Sequence, residues 1–122
     1  MIRKALPLTW GANVSLSSWE WFGAEAPTGL VLPAGMDGSR LAFVGTETGA
    51  DGRANPNVAQ DLYDVNGDKV VLAIPVGGGR IVFLPDVLRA QGWIALRSET
   101  SAGAAQNQAS ARSASWLVPS VG

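Results

Sequence analysis

Along most of the chain, apolar and polar residues alternate with a period of two, and no stretch sustains the 3.6-residue period of an amphipathic helix. The pattern predicts strands. In segment 13–18 it puts Val14 and Leu16 on one face. In 19–22 it puts Trp19 and Trp21 on one face with the opposite parity, so a bulge or break near Ser17-Ser18 is needed to reconcile the halves. Further strand-like runs span 28–32, 39–44, 59–65, 69–74, 80–84, 93–97 and 111–118, each bounded by Gly, Pro, Asn or Asp. Within 39–44, Leu41 and Phe43 share one face, and Ala42 and Val44 share the other. Such a series predicts a single all-β domain, a β-sandwich or jelly roll of about seven to nine short antiparallel strands.

One short helical turn is predicted at 85–92, where Pro85 suits a first turn and Gly92 a stop. Segments 45–57 and 98–110 read as irregular loops. Loops of that length in a small domain tend to carry function, so together with an N-terminal arm at 1–13, ahead of a sandwich domain at 14–122, they are the expected partner contacts. The expected contact residues in these segments are Arg3, Trp10, Arg53, Asn55, Gln106 and Gln108, joined by Trp19 and Trp21 as large aromatics of the kind that anchor protein interfaces.

Composition narrows the chemistry. The 122 residues contain neither Cys nor His, which removes disulfides, thiolate or imidazole metal sites and the Ser-His and Cys-His nucleophile pairs. A net charge of −1, with basic residues scattered singly apart from Arg3-Lys4, gives no stripe to track a phosphate backbone, so nucleic acid is not an expected partner. No apolar run has the length of a signal peptide or membrane span, so a soluble protein made inside a cell is expected. Charged residues make up only 16% of the chain, against about 25% in typical domains. Charge is depleted where proteins meet, and the low value points to a surface partly covered by other subunits; a soluble monomer with a small-residue surface is the other reading.

Several motifs have two readings. Asp64, Asn66 and Asp68 have the every-second-residue spacing that opens a calcium loop, but Lys69 stands where that loop needs Gly, and Pro75 where it needs a bidentate Glu. With strand-like flanks, Asn66-Gly67 instead predicts a hairpin with a type I′ turn, and the three oxygens are left as a weak metal site. The Gly77–Gly79 run lacks the Lys-Ser/Thr ending of a phosphate loop and is followed by a strand, which predicts a flexible hairpin loop. Asp61, Asp64, Asp68, Glu20 and Glu47 offer carboxylates for acid-base work, but nothing in their spacing sets one apart. The expectation is a protein that works by binding, with no catalytic residues and no cofactor. Trp93 and Trp116 sit in strongly apolar strands and are expected in the core. Trp19 and Trp21 have three readings: core, protein interface or sugar platform. Arg97 and Arg112, if placed at the ends of neighbouring strands, would bond carbonyls or carboxylates of adjoining loops through their planar forks; ordinary exposed arginine is the other reading.

The succession GLVLPAGMDGSRLAF, DLYDVNGDKV, RIVFLPDV, GWIALRSET and QNQASARSASWLV, within residues 14–118, resembles a group of small virion proteins of tailed bacteriophages encoded near the capsid genes. The most specific elements are Leu32-Pro33-Ala34, Leu62-Tyr63-Asp64 followed by a Gly turn, Ile94-x-Leu96-Arg97-Ser98, and a Gln before the last strand. The resemblance implies a sandwich or jelly roll bound to the outside of a capsid as a decoration (cement) protein or head fibre. The major capsid protein would be its partner, with assembly as a homo-oligomer such as a trimer, and without enzymatic activity. A carbohydrate- or receptor-binding module of a head fibre or tail is the alternative. The sequence departs from the group in a longer segment at 45–57, and in a last strand that begins Ser-Ala-Arg where an acidic residue usually precedes the arginine.

Overall fold

The computed structural model describes residues 2–22, 27–82 and 92–120. Among the described residues nine strands alternate with turns: β1 (Ile2–Trp10), β2 (Glu20–Phe22), β3 (Gly29–Leu32), β4 (Arg40–Thr46), β5 (Gln60–Asp61), β6 (Val71–Ala73), β7 (Gly79–Val82), β8 (Gly92–Glu99) and β9 (Arg112–Ser120). They form two antiparallel sheets. One has the order β1-β9-β3-β7; the other runs β2-β8-β4-β5, with β6 also pairing to β4. The all-β sandwich is therefore as the alternation predicts. The helical turn expected at 85–92 lies outside the described residues apart from Gly92, which opens β8.

The two sheets share one core, filled from alternate positions of each strand. Leu8 and Trp10, Leu30 and Leu32, and Ala114, Trp116 and Val118 point in from the first sheet; Phe22, Leu41, Phe43, Ile94 and Leu96 meet them from the second. Trp116 joins the layers. Its ring lies edge-on to Phe22 at 5.1 Å and tilted against Phe43 at 6.3 Å, arrangements that the ring quadrupole favours.

Segment 1–13 is not a free arm. Residues 2–10 are the edge strand β1, paired with β9 over its whole length, and Leu8 and Trp10 are buried. Trp10 Nε1 donates to the Ser15 carbonyl. The alternating apolar residues Leu6, Leu8 and Trp10 carry the strand signal, which Pro7 masks. Proline is tolerated here because β1 is an edge strand.

The parity change at Ser17-Ser18 is present. Leu16 pairs with Arg97 while Glu20 pairs with Ile94, so the first chain advances one residue more than β8 does, as in a bulge. At the slip, Ser17 Oγ accepts the Leu96 amide, and Ser18 turns to the other sheet, where its amide donates to Thr9 O and its hydroxyl accepts from the Thr9 amide. The bulge thus stitches the sheets together along one side.

Segments 45–57 and 98–110 are ordered excursions rather than irregular loops. Each folds back as a hairpin, with bridges Thr48–Ala54 and Glu99–Ala105. Three turns share one geometry: Gly49 with Arg53, Asp64 with Asp68, and Thr100 with Ala104. In each, the first amide donates to the last carbonyl, and a glycine (Gly52, Gly67, Gly103) with φ between 79° and 91° stands just before the end. This is the three-residue hairpin loop, a type I turn closed by a left-handed glycine. Asn66 keeps a negative φ, so the Asn66-Gly67 hairpin is real but is not type I′. Asp64 decides this. Its Oδ1 accepts the amides of Asn66 and Asp68 and holds an Asx-type turn that opens the longer, three-residue loop.

Gly77 and Gly78 both have positive φ but differ in surroundings. A Cβ at Gly78 would lie 2.6 Å from Leu32 O, whereas one at Gly77 would touch nothing within 4 Å. Urea denaturation should show Gly77→Ala costing about 1–2 kcal/mol from backbone strain alone. Gly78→Ala adds a backbone collision and should cost on the order of 3 kcal/mol. Equal losses would contradict the close approach of the 75–78 turn to β3.

Candidate functional site

The outward face of the five-stranded sheet concentrates the side chains that the core does not use. Because Ile94, Leu96 and Ser98 of β8 point inward, Trp93, Ala95, Arg97 and Glu99 point outward. Across on β4 they face Thr46, Val44, Ala42 and Arg40 respectively. The middle of this face is small and shielded, with Ala42, Val44 and Ala95 buried. Its two ends differ in chemistry, one aromatic and one charged.

At the aromatic end Trp21 of β2 pairs with Trp93 of β8. The rings meet edge-to-face at 5.6 Å, and Trp93 Nε1 donates to Thr48 Oγ1. Trp93 is thus half-buried and outside the core in which its apolar strand suggested it; the register that sends Ile94 inward forces it out. Trp21 is 52% exposed.

At the charged end stands Glu99, with a side-chain exposure of 0%. Arg40 Nε donates to its Oε1 at 3.0 Å, while Lys69 Nζ at 2.6 Å and Arg97 Nη2 at 2.9 Å converge on Oε2. Arg97 Nη2 also reaches Asp61 Oδ1 at 2.6 Å, and Lys69 lies 3.4 Å from Asp61 Oδ2. Burial by itself would push the Glu99 carboxyl up, but the hydrogen bonds from Lys69, Arg97 and Arg40 outweigh it and hold the carboxyl below its ordinary value. For Arg97, desolvation works against the charge, and the bonds to Glu99 and Asp61 prevail, so its pKa is raised. The cluster ties together β4, β8, β5 and the hairpin after β5.

A second, smaller cluster fixes the connections at the ends of the sandwich. Gln108 is fully buried: its Oε1 accepts the Asp37 amide and Arg112 Nε, and its Nε2 donates to Asp37 O. The Ala109 amide and Arg112 Nη2 both donate to Asp37 Oδ2, and these bonds, the amide first, lower the Asp37 carboxyl below its ordinary range. The last strand therefore has its acidic partner, supplied across the fold by Asp37 rather than by a sequence neighbour. Arg97 and Arg112 both bond acidic groups of adjoining segments, but they lie in different sheets.

The residues singled out for partner contact separate into groups. Trp10, 1% exposed, and Gln108 belong to the interior and are withdrawn as contacts. Trp21 and Arg53 are exposed, and Trp19 and Gln106 are half-buried. Asn55 accepts the Asn57 amide and so caps the 3-10 turn Pro56–Val58. For Arg3 only the backbone, in β1, is described. Asp64, Asn66 and Asp68 form the turn described above, and among the described residues no group of three or more His, Cys, Asp or Glu is gathered as a metal cage would require. No helix among them is long and apolar enough to cross a membrane.

Sequence reading missed Glu99, Arg40 and Lys69. The available signal was Arg97-Ser98-Glu99, two charges at period two on a strand whose other face is apolar.

Removing the Glu99 charge leaves three cations facing one remaining carboxylate. Glu99→Gln should cost about 3 kcal/mol at neutral pH, the scale for breaking a buried ion pair. Because the folded carboxyl titrates below its ordinary value near 4.5, the unfolded chain takes up the proton first as pH falls. The contribution of Glu99 is then intact above about pH 4.5 and fades as pH drops through the lower folded value. Chemical denaturation from pH 7 to pH 3 should therefore show wild type losing its advantage over Glu99→Gln on the acid side; a constant gap would be inconsistent with the network.

Compared with known protein families, curated proteins and solved structures, the chain matches none of them.

Proposed function

We propose that this protein is a structural virion protein of a tailed bacteriophage, bound to the outside of the capsid as a decoration or cement protein. It acts by binding, with the major capsid protein and copies of itself as partners. The order of segments within 14–118 supports the phage reading. The observation that carries a binding role is the outward face of the five-stranded sheet, where Trp21 and Tyr63, 52% and 60% exposed, remain in solvent on a sandwich that has a separate, complete core. Large aromatics are the residues most often found as anchors of protein interfaces. The hairpins at 49–53, 64–68 and 100–104, each closed by backbone hydrogen bonds, extend the surface, and a loop held in shape before binding loses less entropy on it.

In this reading the protein docks across junctions between capsid subunits. Contacts made only in the assembled shell stabilise that state by mass action, and many equivalent sites on one particle make a modest contact per copy sufficient. Trp21, backed by Trp93, also favours a second reading, a sugar- or receptor-binding module, because an exposed indole suits the apolar face of a sugar ring.

Particles stripped of the protein should open at a lower temperature than particles carrying it; identical opening temperatures would defeat the cement role. Trp21→Ala should change the stability of the isolated domain by no more than about 1 kcal/mol while reducing its occupancy on shells. Full occupancy of shells together with loss of glycan-array binding would favour the sugar module instead.

A further inference from the structure

The charge balance of the Glu99 cluster is uneven. Three cations, Arg40, Lys69 and Arg97, face two carboxylates, Asp61 and Glu99, which leaves one formal positive charge. Glu99 is saturated, with one donor on Oε1 and two residues on Oε2. The unused capacity lies on Arg40. Its Nε is held on Glu99, and among the described residues neither Nη nitrogen has an acceptor, although the side chain is only 28% exposed. A Cβ on Gly103 would come within 2.8 Å of Arg40 Nη2, so the glycine of the 100–104 turn is what leaves the guanidinium room.

A guanidinium anchored through Nε presents its two Nη groups as a fork that matches the two oxygens of a carboxylate. Here the fork is pre-oriented, because Glu99 and the adjacent turn restrict it before any ligand arrives. One excess charge suits one carboxylate. The surroundings suit a peptide rather than a free ion: Tyr63 lies opposite Lys69 in the hairpin, on the same side, and stays 60% exposed. We propose that Arg40, backed by Lys69 and Arg97, is a carboxylate-binding site that receives a Glu or Asp side chain of an acidic peptide segment on a protein partner, with Tyr63 flanking the segment. The proposal does not rest on the capsid reading; it stands on the local geometry and can hold if the shell experiment fails.

The test is calorimetric titration of the intact protein with an oligoglutamate peptide at low ionic strength, with oligoglutamine as the uncharged control. Wild type should bind oligoglutamate, and Arg40→Lys, which keeps the charge but removes the fork, should bind roughly tenfold more weakly. Arg80→Lys, at an exposed arginine of β7 in the other sheet, should bind as wild type does. Inorganic phosphate at matched ionic strength should displace the peptide poorly. A measurement on the unaltered protein guards against misfolding of the variant: titration should shift the Arg40 Nη resonances while leaving Nε, already held by Glu99, nearly unmoved. Absence of oligoglutamate binding, equal affinity of Arg40→Lys, or displacement by phosphate as readily as by peptide would overturn the proposal.

Discussion

Burying a carboxylate between two strands at the end of a sheet is tolerable only if its charge is met at once from several directions. Glu99 has that requirement, and the local architecture follows from it. Arg40 must sit opposite on β4, Arg97 two residues back on the same face of β8, and Lys69 must be brought in by the hairpin after β5. Lys69 reaches Glu99 only because the chain leaves the β4 edge at Leu62, turns at Asp64–Asp68 and returns at Val70; Phe43 O accepts the Leu62 amide and the Phe43 amide donates to Val70 O. The ion cluster and the register of β5 and β6 are consequently one constraint.

The opposite pleat of the same strands carries the core. Leu41, Phe43, Ile94 and Leu96 meet Trp116 and its neighbours from the other sheet, so β4 and β8 have a dry side and a charged side. This division lets the outward face bear exposed aromatics and an incompletely matched guanidinium without weakening the interior. Hydrophobic burial, which is non-directional, holds the sheets together, whereas the directional pairs around Glu99 and Gln108 fix the connections.

Much of the fold was legible. Leu41 with Phe43, Leu30 with Leu32, and Trp116 between Ala114 and Val118 follow a period of two that only a half-buried strand explains. The parity change at Ser17-Ser18 also announced its bulge. Where reading failed, a local signal was ambiguous. Pro7 obscured β1. Asn66-Gly67 suits two hairpin turns, and the Asp64 side chain selected between them. The polar composition of 45–57 and 98–110 concealed hairpins whose ladders need no apolar residues, since backbone bonds and a single left-handed glycine suffice. The candidate site was less legible still: Trp21 was among the residues chosen, but Trp10 and Gln108 were assigned to the surface and Glu99 was passed over.

The sequence by itself determined the class of structure, the strand-forming segments with clear apolar alternation and the absence of thiol and imidazole chemistry, because alternation and composition are properties of neighbours along a chain. Only the tertiary structure decided which of two similar polar residues is buried and which is free. Glu99 and Gln108 are buried because Arg40, Lys69 and Asp37 reach them from distant positions and join the nearby Arg97 and Arg112, and the burial of a polar group depends on partners whose distance in space the linear order does not contain.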